Sequence, residues 1–167
     1  MKKIRIGKST LKGSQLAYGC WRIAGTWDGR KVKANDREAG VKAILAAHEA
    51  DYTLFDHADI YCDGVSEELF GLALKQSKAL KKSAVIATKC GIRIPESNEP
   101  YRYDSSGDYI VQSCEKSLQR LGIDCIDIYQ LHRPDWLMDP NEVARAFAKL
   151  KKAGKVKHFG VSNFRPS

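Results

Sequence analysis

The chain has 167 residues, 43% of them apolar and 29% charged, with a formal net charge of +8, so one core and one domain over 1–167 are expected. No run approaches the ~18 apolar residues of a membrane span, and Met1 to Gly7 (MKKIRIG) lacks the apolar stretch of a secretory signal, which sets aside membrane partners and leads us to expect a cytoplasmic protein. Five cysteines, Cys20, Cys62, Cys90, Cys114 and Cys125, form an odd set without a C-x-x-C pair, which argues against a disulfide framework and a zinc ribbon.

In chain order, short apolar runs alternate with longer periodic segments. Leu16 to Cys20 reads as the first strand of a parallel sheet, buried on both faces. Asn35 is placed to cap the following helix, with Glu38 three residues on and Val41, Ile44 and Leu45 along one face. His48 shares that stripe and is read as a packed structural histidine. Thr53 to Asp56 is the second strand; Ser66 is the expected cap of the next helix, which turns Leu69, Phe70, Ala73 and Leu74 inward. Ala84 to Lys89 is the third strand. It leads into a long connection from Ile92 to Gly107, containing Pro95, Pro100, Tyr101 and Tyr103, that is expected to line a substrate entrance. Asp108 is the expected cap of a helix carrying Val111, Cys114, Leu118 and Leu121, stopped by Gly122. Ile126 to His132 is the fourth strand. Asp139-Pro140-Asn141-Glu142 opens a helix that buries Val143, Phe147 and Leu150 and ends at Gly154; His158 to Ser162 is the fifth strand. Lys149, Lys151, Lys152, Lys155 and Lys157 gather at the end of the last helix, where cations suit the carbonyl pole, and no aromatic residues interleave with them. Nucleic acid is therefore not an expected partner. The positive excess suits a small phosphate-bearing ligand instead.

Repeated strand–helix–strand units demand a parallel sheet with right-handed crossovers. Cys20-Trp21-Arg22, Asp56-His57, Lys89, His132 and Ser162-Asn163 all stand at C-terminal strand ends, where parallel α/β folds keep their chemistry. Gly19 to Gly25 (GCWRIAG) does not fit G-x-G-x-x-G, so a (β/α)₈ barrel is expected over a doubly wound sheet. Within Phe55 to Gly64 (FDHADIYCDG), Tyr61 needs a cation beside its phenolate to serve as a proton donor near neutrality. Lys89 is placed to supply it, Asp56 to hold the ammonium, and His132 to hydrogen-bond a carbonyl. A metal-dependent barrel hydrolase using His57, Asp59, Cys62 and His132 is the rival chemistry.

These residues, in this order, resemble the aldo-keto reductases over essentially the whole chain. Asp56 and Tyr61 match the family's D-x-x-x-x-Y element, Lys89 lies in Thr88-Lys89-Cys90, His132 in Tyr129 to Pro134 (YQLHRP), and Ser162-Asn163-Phe164 follows Gly160-Val161. The resemblance implies an NADPH-dependent reductase, NADH not excluded, acting on an aldehyde or ketone. It implies Tyr61 as proton donor, Lys89 and Asp56 as its supports, and His132 as the group orienting a small-molecule carbonyl. It further implies Ser162 and Asn163 on the nicotinamide carboxamide, and Gly19, Cys20, Trp21, Arg22 and Asp56 along the cofactor, with Trp21 also walling the substrate pocket. No metal is implied. Lys3 to Ile6 and Thr10 to Lys12 look like the hairpin that plugs the bottom of such barrels. Only about five of the eight strands are present, so 1–167 is expected to be the N-terminal portion of a truncated domain ending at Pro166-Ser167. Two further expectations follow: self-association through open barrel edges, and, as an alternative function, a non-catalytic family member acting through cofactor or partner binding.

Overall fold

The computed structural model describes residues 1–95 and 100–165; part of the long connection after Lys89 and the expected point of truncation, Pro166-Ser167, lie outside the described residues. β1 (Lys3–Arg5) and β2 (Lys12–Ser14) pair antiparallel, with Lys3 opposite Ser14, as the hairpin expected from the sequence. It is fixed to the body by Ser14, whose Oγ accepts from the Thr53 and Leu54 amides at 3.0 and 3.1 Å.

The main sheet contains β3 (Ala17–Gly19), β4 (Leu54–Asp56), β5 (Val85–Cys90), β8 (Ile126–Leu131) and β9 (Val156–Val161), all parallel and in that spatial order. Chain order and sheet order coincide. A doubly wound sheet reverses its order at a switch point, whereas a barrel adds each strand beside the last, so the sheet is a five-stranded arc of a barrel. The crossovers are α1 (Ala34–Glu49), α2 (Val65–Gln76) with α3 (Lys78–Ser83), α4 (Gly107–Leu121) and α5 (Pro140–Lys152). A second small hairpin, β6 (Ile92–Arg93) with β7 (Arg102–Tyr103), rises from the long connection. Among the described residues no helix is long and apolar enough to cross a membrane.

The core lies between sheet and helices. Phe55 meets Phe70 of α2 at 4.9 Å between ring centroids, and Ile44, Leu69, Ile110, Leu121, Ile126 and Leu150 complete one buried cluster. Every residue of β5 (VIATKC) is buried, as a central parallel strand requires. His48 makes a 2.8 Å contact with Ser83 Oγ, the structural role expected of it.

Helix starts differ from the sequence expectations in three places. α1 begins at Ala34 rather than after Asn35, and the Asp36 carboxylate accepts from the Lys33 amide at 2.9 Å. α2 begins at Val65 because Cys62, Asp63 and Gly64 run through left-handed conformations, so Ser66 falls inside the first turn and is buried. Ser106, not Asp108, caps α4, its Oγ accepting from the Tyr109 amide; Asp108 sits in the first turn beside the helix's positive pole. Asp139 caps α5 as expected, its Oδ1 accepting from Asn141 at 2.8 Å, and Gly122 closes α4 at φ 65°. Of the basic cluster, Lys155 pairs with Glu115 and Lys157 with Asp127.

Gly71 lets α2 and α4 touch through their backbones: a Cβ there would lie 2.6 Å from the Arg120 carbonyl oxygen and 2.9 Å from that of Leu121. Backbone cannot step aside as a side chain can. Gly71→Ala is therefore expected to destabilise the chain by about 1–3 kcal/mol despite alanine's better helix propensity. Urea denaturation followed by circular dichroism checks this, and an unchanged or higher midpoint would refute the close approach.

Candidate active site

The parallel register gathers the five strand ends, with β5, β8 and β9 running on past the level at which β3 and β4 stop. Gly19 stands opposite Asp56, Asp56 opposite Ala87, Lys89 opposite Gln130, and Gln130 opposite Gly160. Lys89 is only 5% exposed, and its ammonium is surrounded by acceptors: Asp56 Oδ1 at 2.7 Å, Asp56 Oδ2 at 2.8 Å, the His57 carbonyl at 2.7 Å and the Tyr61 hydroxyl at 3.4 Å. A buried cation with three donors is thereby satisfied.

Tyr61 is presented by a compact turn in which its own amide donates to the Ala58 carbonyl and its carbonyl accepts from Gly64. The His132 ring stands nearly perpendicular to that of Tyr61, centroids 5.9 Å apart and planes at 80°. Burial, with Lys89 and Arg133 nearby, lowers His132 to about 4, so its imidazole is neutral at pH 7. Its buried Nδ1 has no hydrogen-bond partner among the described residues. Beyond β9, Asn163 adopts φ 64° and its Nδ2 donates to the His132 carbonyl and to Ser162 Oγ, each at 2.9 Å. The structure thus gathers Asp56, Tyr61, Lys89 and His132 at one point, with Ser162 and Asn163 beside them.

The turn after β3 is less uniform. Cys20 is fully buried, its thiol pushed well up by burial and by Asp56. Trp21 and Trp27 are 47% and 52% exposed, pack against each other at 5.2 Å, and each has the Arg22 guanidinium carbon 5.6 Å from its ring centroid. Trp27 was not singled out in the sequence; its only local mark is an aromatic residue soon after Gly25.

Three ionisable residues of Phe55 to Gly64 (FDHADIYCDG) are engaged elsewhere. His57 is buried against Phe70 at 4.7 Å and is lowered to about 3 by burial and Lys89. Asp59 is raised to about 7 by burial and by Glu67, opposed by Arg120 and by hydrogen bonds from Ser113 and the Ile60 amide. Cys62 packs in the core. Among the described residues no group of three or more His, Cys, Asp or Glu side chains could hold a metal ion, so the rival hydrolase lacks a ligand set there. Sequence reasoning also missed the buried support behind the turn, where Glu67 accepts from Thr88 Oγ1 at 2.6 Å and from Arg120 Nε at 2.7 Å.

A cavity of about 980 Å³ is lined by Asp59, Ile60 and Asp63 together with Trp27, Arg30, the β6–β7 hairpin, Tyr109, Lys116 and Arg120. The connection after Lys89 lines this cavity through Ile92 to Pro95 and Tyr101 to Arg102; none of the four clustered residues does.

The aldo/keto reductase family model matches residues 15–167. The chain belongs to the aldo/keto reductase family. It is 39% identical over 99% of its length to the uncharacterized oxidoreductase YcsN of Bacillus subtilis, and 39% identical over 96% to a 6-dehydroglucose reductase of Novosphingobium aromaticivorans. Those alignments cover 54% and 51% of the relatives, so the chain spans about half the length of the curated relatives it matches. Among solved structures it resembles the glycerol dehydrogenase AKR11B4 of Gluconobacter oxydans (TM-score 0.86, 36% identity, covering 98% of this chain and 49% of that one). It also resembles the holo form of the aldo-keto reductase AKR11C1 of Bacillus halodurans (TM-score 0.84, 32% identity, covering 99% and 51%). The match to each takes in nearly the whole of this chain.

The perturbed groups give a pH signature. Asp59, raised from 3.8 to about 7, contributes stability that is fully present below its unfolded value and lost as pH rises through 7. His57 and His132, lowered from 6.5 to about 3 and about 4, act the other way: their contribution is full above 6.5 and lost as pH falls toward 4 and 3. Relative to wild type, Asp59→Asn should therefore be more stable at pH 8 than at pH 5. Denaturant midpoints at the two pH values decide; a wild-type-to-variant difference independent of pH would show that Asp59 titrates normally.

Proposed function

We propose that this chain carries the catalytic half of a cytoplasmic NADPH-dependent reductase of aldehydes or ketones, in which Tyr61 donates the proton. The observation that carries this reading is the Lys89 ammonium, held by Asp56 and lying 3.4 Å from the Tyr61 hydroxyl, with the His132 ring 5.9 Å from the Tyr61 ring. A tyrosine that gives its proton to a developing alkoxide leaves a phenolate, and a fixed neighbouring cation stabilises that anion more than the neutral phenol. His132, neutral and largely buried, is suited to hydrogen-bond the carbonyl oxygen and hold it toward the Tyr61 hydroxyl.

The donor set at the strand ends fits a nicotinamide. Asn163 and Ser162 present an amide and a hydroxyl beside His132, complementary to a carboxamide, and Gly19 exposes backbone next to Trp21 at the same level as Asp56. When bound, the reduced nicotinamide supplies the hydride for the carbonyl carbon. Support for the phosphorylated cofactor comes from the family resemblance, and the +8 charge favours an anionic ligand of either kind.

Replacing Tyr61 by Phe deletes one hydroxyl and keeps the ring against His132. In a preparation that reduces a simple aldehyde, Tyr61→Phe should lower kcat by on the order of 10² or more while NADPH affinity, read by fluorescence titration, stays close to wild type. Wild-type turnover in the variant would remove Tyr61 from the role of acid.

A second reading, association through open edges with or without turnover, is favoured by β3 and β9, each paired on one side only among the described residues. Leu16 and Val161 beside those edges are 58% and 51% exposed. Unpaired strand edges template pairing with another chain. The 167-residue chain should elute in size-exclusion chromatography as a dimer or larger, with the proportion rising with concentration; a monodisperse monomer across that range would count against edge pairing.

A further inference from the structure

We propose that Arg22 is a specificity-determining residue that selects carbonyl substrates bearing a carboxylate or phosphate. This rests on the reductase reading above and extends it to substrate class. Arg22 is exposed, and among the described residues it has no carboxylate partner, unlike Arg30, Arg93 and Arg120 around the neighbouring cavity, which pair with Asp28, Asp104 and Glu67. It is nevertheless held: both Trp21 and Trp27 lie 5.6 Å from its guanidinium carbon. Contact with ring faces uses the charge of the guanidinium without consuming its N–H groups, so a planar fork of donors is left for an oxyanion.

The shelf is also fixed relative to the site. Trp27 precedes the short turn Gly29–Lys31, and the Gly29 amide donates at 2.8 Å to Asp63, two residues beyond Tyr61. At the other end of the shelf, Cys20–Arg22 follows Gly19, which pairs with Asp56. The loop that carries the cation is thereby tied to the segment that carries Tyr61, which suits it to read a second group on the same molecule.

Phosphate chemistry alone would also suit the cofactor. The sheet order favours the substrate: Ser162 and Asn163 follow β9 at one end of the arc, Arg22 follows β3 at the other, and Tyr61, Lys89 and His132 lie between. A carboxamide at the β9 side leaves Arg22 across the reacting carbonyl from the nicotinamide.

The test compares benzaldehyde with para-carboxybenzaldehyde in wild type, Arg22→Gln and Arg22→Lys. Loss of a charge-assisted hydrogen bond should lower the kcat/KM preference for the carboxylated aldehyde by roughly 10- to 100-fold in Arg22→Gln, mostly through KM, with partial rescue in Arg22→Lys. An equal effect on both aldehydes, or an effect confined to NADPH affinity, overturns the proposal and assigns Arg22 to the cofactor. A catalysis-independent arm titrates tryptophan fluorescence with para-hydroxymethylbenzoate and with benzyl alcohol. Should wild type reduce neither aldehyde, the reductase reading fails by itself; an Arg22-dependent response to the benzoate alone still upholds the anion site, and no such response overturns it.

Discussion

The site depends on one buried ammonium. Taking a lysine out of water costs several kcal/mol unless acceptors replace the solvent, and at Lys89 they come from a single neighbouring strand end: both carboxylate oxygens of Asp56 and the carbonyl of His57. That arrangement requires the observed register. Asp56 pairs with Ala87, and Lys89, two residues on, emerges on the same face. Thr88 between them emerges on the opposite face and donates to Glu67 of α2. One strand thus carries two polar networks back to back, an inner one that reaches Tyr61 and an outer one that fastens the helix layer. A one-residue slip would exchange them and leave both unsatisfied.

The turn from His57 to Gly64 is held between these networks. Its inner side is tied where the Asp59 amide donates to the Lys89 carbonyl at 3.0 Å, and its outer side where Asp63 accepts from Gly29. Non-glycine residues at positive φ cost roughly 1–2 kcal/mol each, and Cys62 at 52° and Asp63 at 54° both adopt it. Gly64 follows at 88°, where a Cβ would meet the Arg120 side chain at 2.7 Å. Local preference alone would not produce such a turn. The fixed position of the Tyr61 hydroxyl is a product of the surrounding fold.

That distinction explains what the sequence made legible. Strand ends were legible because buried parallel strands are continuous apolar runs, and an ionisable residue at the end of one stands out; Asp56, Lys89 and His132 were found in this way. Cap positions were legible only where one polar residue had the task to itself, as Asp139 before Pro140 does. Around Ser66 the signal misled, since a left-handed run ending in Gly64 starts the helix earlier and leaves Ser66 buried, its hydroxyl without a hydrogen-bond partner among the described residues. α3 was invisible because KALKKS buries only Leu80. The Glu67–Arg120 pair and the pairing of Trp27 with Trp21 join residues far apart or on irregular turns, where no periodicity marks them.

The charge around Tyr61 also divides the labour among three candidate proton donors. Lys89 has its hydrogens engaged by Asp56 and His57 at 2.7–2.8 Å, and giving one up would leave the Asp56 carboxylate without its cation. His132 is neutral at pH 7, kept so by burial and by the same Lys89 together with Arg133, so it brings no imidazolium to the reaction. The Tyr61 hydroxyl is left, longer by half an ångström or more from the ammonium than the other acceptors at 3.4 Å. As the proposed proton transfer proceeds, the attraction across that contact grows by charge, because the phenolate is an anion facing a fixed cation where the phenol was neutral. The geometry thus holds back an interaction with Tyr61 that grows as its proton leaves, which is the condition for accelerating the step rather than merely binding the substrate.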